Sequence, residues 1–73
     1  MTAEALQRLG LVVRTRREAL PLNQERFADS ISMHRAYYGR IERGQANLTL
    51  ETLARVADGL GVSCAELLNE AAI

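Results

Sequence analysis

The sequence predicts an all-α domain of five helices, and three observations predict it. Apolar residues recur at helical spacings, and no stretch alternates with period two for long enough to be a strand. Helix-start signals then repeat four times in one form: an apolar residue, a residue at the cap, and a second apolar residue four positions after the cap. Leu22/Asn23/Phe27, Met33/His34/Tyr38, Leu48/Thr49/Leu53 and Val62/Ser63/Leu67 all fit this hydrophobic-staple pattern. Breakers at Pro21, Gly44 and Gly61 separate the segments.

The first helix is expected over residues 3–20. Leu6, Leu9, Val13 and Leu20 mark its buried side, Thr2 caps it, and Glu4 lies in the positive first turn. Arg14, Arg16 and Arg17 on the remaining surface read either as a solvated face or as a phosphate-facing end. The second helix, residues 24–30, is capped by Asn23 and turns Phe27, Ala28 and Ile31 inward. The third, residues 35–43, buries Tyr38 and Ile41 and is followed by the polar loop Gln45-Ala46-Asn47. In the fourth, residues 50–60, Leu50, Leu53, Ala54, Ala57 and Leu60 are expected inward, with Gly61 ending the helix in a left-handed conformation. The fifth, residues 64–72, opens on the capping box Ser63-x-x-Glu66.

The chain of 73 residues is read as one domain, 1–73, with 48% apolar and 25% charged residues, a composition that folds. A domain this small buries only roughly 60% of its unfolded surface, so a second copy would help to stabilise it. Net charge is zero, but it is unevenly placed. Residues 1–43 hold eight arginines against five acids, and residues 44–73 hold one arginine against four. There is no lysine, and arginine suits two-point contact to guanine or phosphate. One cysteine, Cys64, permits no internal disulfide, which suits a reducing cytoplasm. Cys64 and the single histidine, His34, do not make a zinc site, and no metal or cofactor is implied. No apolar run approaches the roughly 20 residues of a membrane span, and the N-terminus carries no signal-peptide pattern.

The stretch from Asn23 to Gly44 concentrates the chemistry. Two short amphipathic segments meet at a turn around Ile31-Ser32-Met33, with the small Ala28 where the helices cross. This is the pattern of a helix-turn-helix, whose second helix enters the major groove of DNA. At about 100° per residue, Arg35, Ala36 and Arg40 face outward near the start of that helix, where base edges are read. Arg35 and Arg40 suit O6 and N7 of guanine, and Ala36 suits a thymine methyl.

Leu22-Asn23-Gln24-Glu25, Phe27-Ala28, Tyr37, Ile41-Glu42-Arg43-Gly44, Leu50-Glu51-Thr52-Leu53 and the run from Ala57 to Val62 resemble the xenobiotic-response-element-type (Cro/C1-like) helix-turn-helix family. The short length and the run from Arg35 to Leu50 further resemble controller proteins of restriction–modification systems. The resemblance implies a lambda-repressor-like fold and a homodimeric transcriptional regulator bound to double-stranded DNA. By matched position it implies base contacts from Arg35, Ala36 and Arg40, phosphate contacts from Gln24, Tyr37 and Arg43, and support of the recognition helix by Gln24. Arg17, at the end of the first helix, joins the phosphate set. Glu25 and Asp29, four apart on one helix face, read as a solvated acidic face or, by resemblance to activating phage repressors, as a contact to RNA polymerase.

Three residues depart from the family pattern, and a fourth weakens the third helix. Ser32 stands where glycine or asparagine is common, and a left-handed serine costs roughly 1–2 kcal/mol. Tyr38 replaces a smaller aliphatic residue, so its hydroxyl needs a partner. His34 replaces the usual serine or aspartate cap. Gly39 lies inside the third helix at a cost of about 1 kcal/mol against alanine. Leu67, Leu68 and Ile73 read as core or as part of a two-fold interface. No nucleophile or acid–base pair is assembled, so an enzyme is not expected. The rival readings are the antitoxin of a toxin–antitoxin pair and, from another class, a helical protein-interaction adaptor.

Overall fold

The computed structural model describes residues 1–73 as five α-helices with no strand: α1 (Ala3–Glu18), α2 (Gln24–Ser30), α3 (Arg35–Glu42), α4 (Leu50–Leu60) and α5 (Cys64–Glu70). The starts follow the capping grammar. Thr2 Oγ1 accepts from the Ala5 amide at 3.0 Å, Asn23 Oδ1 from Arg26 at 2.9 Å and Thr49 Oγ1 from Thr52 at 3.1 Å. Ser63 and Glu66 form the reciprocal capping box. His34 occupies the cap position of α3 in extended geometry but makes no side-chain cap bond. The staple residues Phe27, Tyr38, Leu53 and Leu67 are all buried, with Leu22, Leu48 and Val62 half-buried beside the core.

The helix ends share a grammar too. Residues Ser32, Gly44, Gly61 and Ala72 are left-handed, with φ of 54°, 71°, 74° and 58°. After each, the next amide reaches five residues back: Met33 to the Ala28 carbonyl, Gln45 to Arg40, Val62 to Ala57 and Ile73 to Leu68. These are Schellman closures, which satisfy carbonyls the helix end would otherwise leave open. The last shortens α5, expected to Ala72, to Glu70. The expectation for α1 was also two residues too long. The Leu20 amide bonds the Arg17 carbonyl three residues back, so the chain leaves the helix before Pro21.

Leu9 and Val13 of α1, Phe27 and Ala28 of α2, Tyr38 and Ile41 of α3, Val56 of α4 and Leu67 of α5 meet in one core. The Phe27 and Tyr38 rings lie 5.1 Å apart at 48° and join α2 to α3. The expected inward face of α4 needs correction. Leu50 and Ala54 are exposed, and Val56 is buried instead. The covered stripe is Leu53, Val56, Ala57 and Leu60, and Leu50 stands a turn ahead of it.

Gly10 sets how α1 meets α3. A Cβ there would lie 2.5 Å from the Ile41 carbonyl oxygen and 2.6 Å from that of Glu42. Backbone therefore packs on backbone, and α1 lies directly against the end of α3.

Candidate nucleic-acid interface

The left-handed turn at Ser32 folds α3 back across α2, and α3 then divides into two faces. Tyr38, Gly39, Ile41 and Glu42 are buried, whereas Arg35, Ala36, Arg40 and Arg43 are exposed and Tyr37 is half-buried. The outward stripe contains three arginines and no acid.

Behind that stripe, one carboxylate holds three helices together. Glu42 accepts from Arg17 Nε at 2.7 Å, Arg17 Nη2 at 3.2 Å, Gln24 Nε2 at 2.8 Å and the Tyr38 hydroxyl. Arg17 Nη1 also donates to the Leu22 carbonyl at 3.1 Å. The Glu42 side chain is 1% exposed. Burial alone would raise its carboxyl, but hydrogen bonds from Arg17, Tyr38 and Gln24 outweigh that and hold it below the usual carboxylate value. Burial, and then Glu42, push the Tyr38 hydroxyl up, so it stays a neutral donor. No buried side-chain polar atom lacks a partner.

This geometry corrects the expectation for Arg17. Its side chain is 10% exposed and its fork is spent on Glu42 and Leu22, so it is not a phosphate-facing group. The desolvated carboxylate at the end of α3 draws it inward. Gln24 is partly committed in the same way and supports α3 from the first turn of α2. The Tyr38 hydroxyl finds its partner in Glu42.

The outward residues differ in how they are held. Arg40 takes part in none of the ion pairs, and its guanidinium sits 5.9 Å from the centre of the Tyr37 ring. The Tyr37 hydroxyl donates to the Asn47 carbonyl at 3.0 Å and ties α3 to the loop before α4. Arg43 Nε donates to Gln45 Oε1 at 3.2 Å. A Cβ on Gly39 would lie 3.1 Å from Arg43 Nη1 and 3.5 Å from Gln24 Oε1, so this glycine leaves room for both side chains. Glu25 and Asp29, read from sequence as a solvated acidic face or a polymerase contact, both bind Arg35. The Arg35 hydrogen bond is the main cause holding the Asp29 carboxyl below its ordinary value.

Sequence reasoning missed two residues. Glu42 was only part of a family motif, although its spacing from Tyr38, i and i+4 on a helix, was a signal that the two side chains meet. Gly10 gave no signal, because its role is a contact made 31 residues later in the chain. No group of three or more His, Cys, Asp or Glu residues is placed to hold a metal ion. No helix is long and apolar enough to cross a membrane.

A buried support behind a short helix, with an exposed arginine stripe in front, defines a helix-turn-helix reading head. A helix-turn-helix family model matches residues 13–67, and the chain belongs to this family of DNA-binding regulators. It is 40% identical over 55 residues to the control protein C.MunI of a Mycoplasma species, covering 75% of this chain and 74% of that protein. Among solved structures it superposes on the restriction–modification controller protein C.AhdI from Aeromonas hydrophila with a TM-score of 0.81 and 35% identity, over 85% of this chain and 94% of the other. The clp gene regulator ClgR from C. glutamicum gives a TM-score of 0.87 at 31% identity, over 93% of this chain and 87% of the other. These relatives are regulators, not enzymes.

Proposed function

We propose that the chain is the controller of a restriction–modification system, acting as a homodimer on a palindromic operator at its own promoter. The observation that carries the reading is the outward stripe of α3, with Arg35, Ala36 and Arg40 exposed on a helix whose other side is locked by Glu42. Arg35 and Arg40 read guanine edges and Ala36 a thymine methyl. Arg43 and the remaining amide hydrogen of Gln24 contact phosphate and fix register, and the Tyr37 hydroxyl joins them by exchanging its bond to the Asn47 carbonyl for one to phosphate. The similarity to control proteins and to C.AhdI supports the restriction–modification setting.

The two-fold partner sits on α5 and the C-terminus. Leu68 and Ile73 line a shallow depression there with Ala65, and Ile73 is 49% exposed. A dimer through this face presents two copies of α3 about 34 Å apart, one turn of DNA. RNA polymerase is the further partner in activation, met through the acidic face of α2 at Glu25 and Asp29 by carboxylate lone pairs that Arg35 does not take.

Selection of bound sites from randomised duplex DNA tests the reading. The expected product is a two-fold-symmetric consensus, with Arg35→Ala and Arg40→Ala each relaxing one position per half-site. Affinity falls steeply with salt, as phosphate contacts require. An unchanged consensus in both variants would sink the readout.

A further inference from the structure

Arg35 is held as no other outward arginine of α3 is. Its Nε and Nη2 donate side by side to the two oxygens of Asp29, at 3.1 and 2.7 Å. Its Nη1 donates to Glu25 at 2.5 Å. The two acids therefore act differently on one guanidinium. Asp29 pairs at two points along the Nε–Nη2 edge and fixes the plane of the fork. Glu25 makes a single contact to Nη1, which belongs to the other edge. That Nη1–Nη2 edge is the one left to span O6 and N7 of a guanine.

We propose that Asp29 is a positioning residue for base readout: it keeps the Nε–Nη2 edge of Arg35 while the Nη1–Nη2 edge meets guanine, and Glu25 is a competing contact given up on DNA. The proposal rests on the reading of Arg35 as a base contact. Two physical consequences follow. A long side chain loses rotamer freedom when it binds, and the Asp29 pairing has removed much of that freedom in advance. A fork fixed in plane also cannot swing to a neighbouring base or phosphate, so a wrong base leaves it unpaired. Asp29 reaches Arg35 across the turn because the left-handed Ser32 brings the start of α3 back beside the end of α2.

Simple electrostatics predicts a different outcome, with the ratio between sequences unchanged. An acid near DNA repels phosphate, so removing it should tighten binding to every sequence. That difference, a changed ratio against a uniform gain in affinity, makes the proposal testable. The full chain is titrated with a duplex selected from randomised DNA and with the same duplex substituted at the base pair read by Arg35. Asp29→Asn should lower discrimination between the two duplexes roughly tenfold, a fraction of what a good two-point pair provides. Asp29→Ala should do the same, with thermal unfolding measured alongside. Glu25→Gln should tighten binding to both duplexes and keep their ratio. Asp29→Asn in an Arg35→Ala background should leave the ratio where Arg35→Ala puts it. If Asp29→Asn keeps the wild-type ratio, or tightens both duplexes as Glu25→Gln does, Asp29 is an ordinary surface acid and the proposal is overturned. If Arg35→Ala itself keeps the wild-type preference, the readout by Arg35 falls and the proposal with it.

Discussion

Arg17 and Glu42 stand 25 residues apart in the chain and meet at 2.7 Å in the interior, tying the last turn of α1 to the last residue of α3. Removing one partner leaves the other charged and buried, which costs about 3–5 kcal/mol. Glu42→Ala should therefore lower the thermal midpoint by on the order of 20 °C, given about 4–8 °C per kcal/mol in a domain of this size. The pH dependence has a definite sign. The folded carboxyl of Glu42 titrates below its ordinary value of 4.5. Its contribution is thus full above that pH and is lost as the pH falls through the folded value. Glu42→Gln should be less stable than wild type at pH 7 and should flatten the acid limb of the stability curve. Equal slopes below pH about 4.5 in both proteins, by thermal unfolding, would contradict this assignment.

Ser32 bears a conformational cost that glycine would not. Its φ of 54° falls in the left-handed region, which costs an L-residue roughly 1–2 kcal/mol. Its side chain is exposed and makes none of the hydrogen bonds of the turn, which are all from backbone amides. Ser32→Gly should raise stability by about 1 kcal/mol, the relieved strain less the extra freedom of glycine in the unfolded chain. Chemical denaturation with an unchanged slope and a higher midpoint is the expected result.

Much of this fold was legible because starts and stops are local. Four of the five caps are Thr2, Asn23, Thr49 and Ser63, and their side chains make the bonds their residue types suggest. The stops were only half legible. Gly44 and Gly61 announce a left-handed residue, whereas Ser32 is only a turn residue at a suspect position and Ala72 announces nothing. The outward stripe of α3 was legible from helical phase alone. What it rests on was legible only at Gln24, through the family resemblance, because Arg17 and Glu42 are brought to it by tertiary packing and look like surface residues in sequence. The same holds for Arg35 with Glu25 and Asp29: opposite charges across a turn pair only if the turn closes at the right angle. Val56 rather than Leu50 is buried because of how α4 packs against α1 and α5, which periodicity alone does not specify.

Gly10 should not tolerate even a methyl group. Alanine in a helix interior gains about 1 kcal/mol over glycine from propensity. Here the added carbon would stand 2.5 and 2.6 Å from two backbone carbonyl oxygens at the end of α3. Neither oxygen can swing aside as a side chain can, so α1 must move off α3 at a cost of about 1–3 kcal/mol or more. Gly10→Ala should be net destabilising. It should also loosen the Arg17–Glu42 pair, which the same helix contact positions. A variant as stable as wild type by thermal unfolding would show that the two backbones do not pack as described.

Gly39 separates stability from binding. A Cβ at this position meets only the ends of side chains, Arg43 Nη1 at 3.1 Å and Gln24 Oε1 at 3.5 Å, and both can shift. Gly39→Ala should therefore stabilise α3 by close to the full propensity gain, about 1 kcal/mol. The same methyl group displaces Arg43 and presses on Gln24, the two side chains proposed to reach phosphate. Binding should weaken severalfold on all sequences alike, because phosphate contacts carry no base preference. If the Arg43 contact is lost outright, the slope of log affinity against log salt should fall by about one. Base preference should stay as it is, since the side-chain atoms nearest the added carbon belong to Arg43 and Gln24 and not to Arg35 or Ala36. A variant more stable in unfolding, weaker on DNA and unaltered in consensus is the expected combination. Binding that tightens with the gain in helix stability would show that Gly39 is merely tolerated.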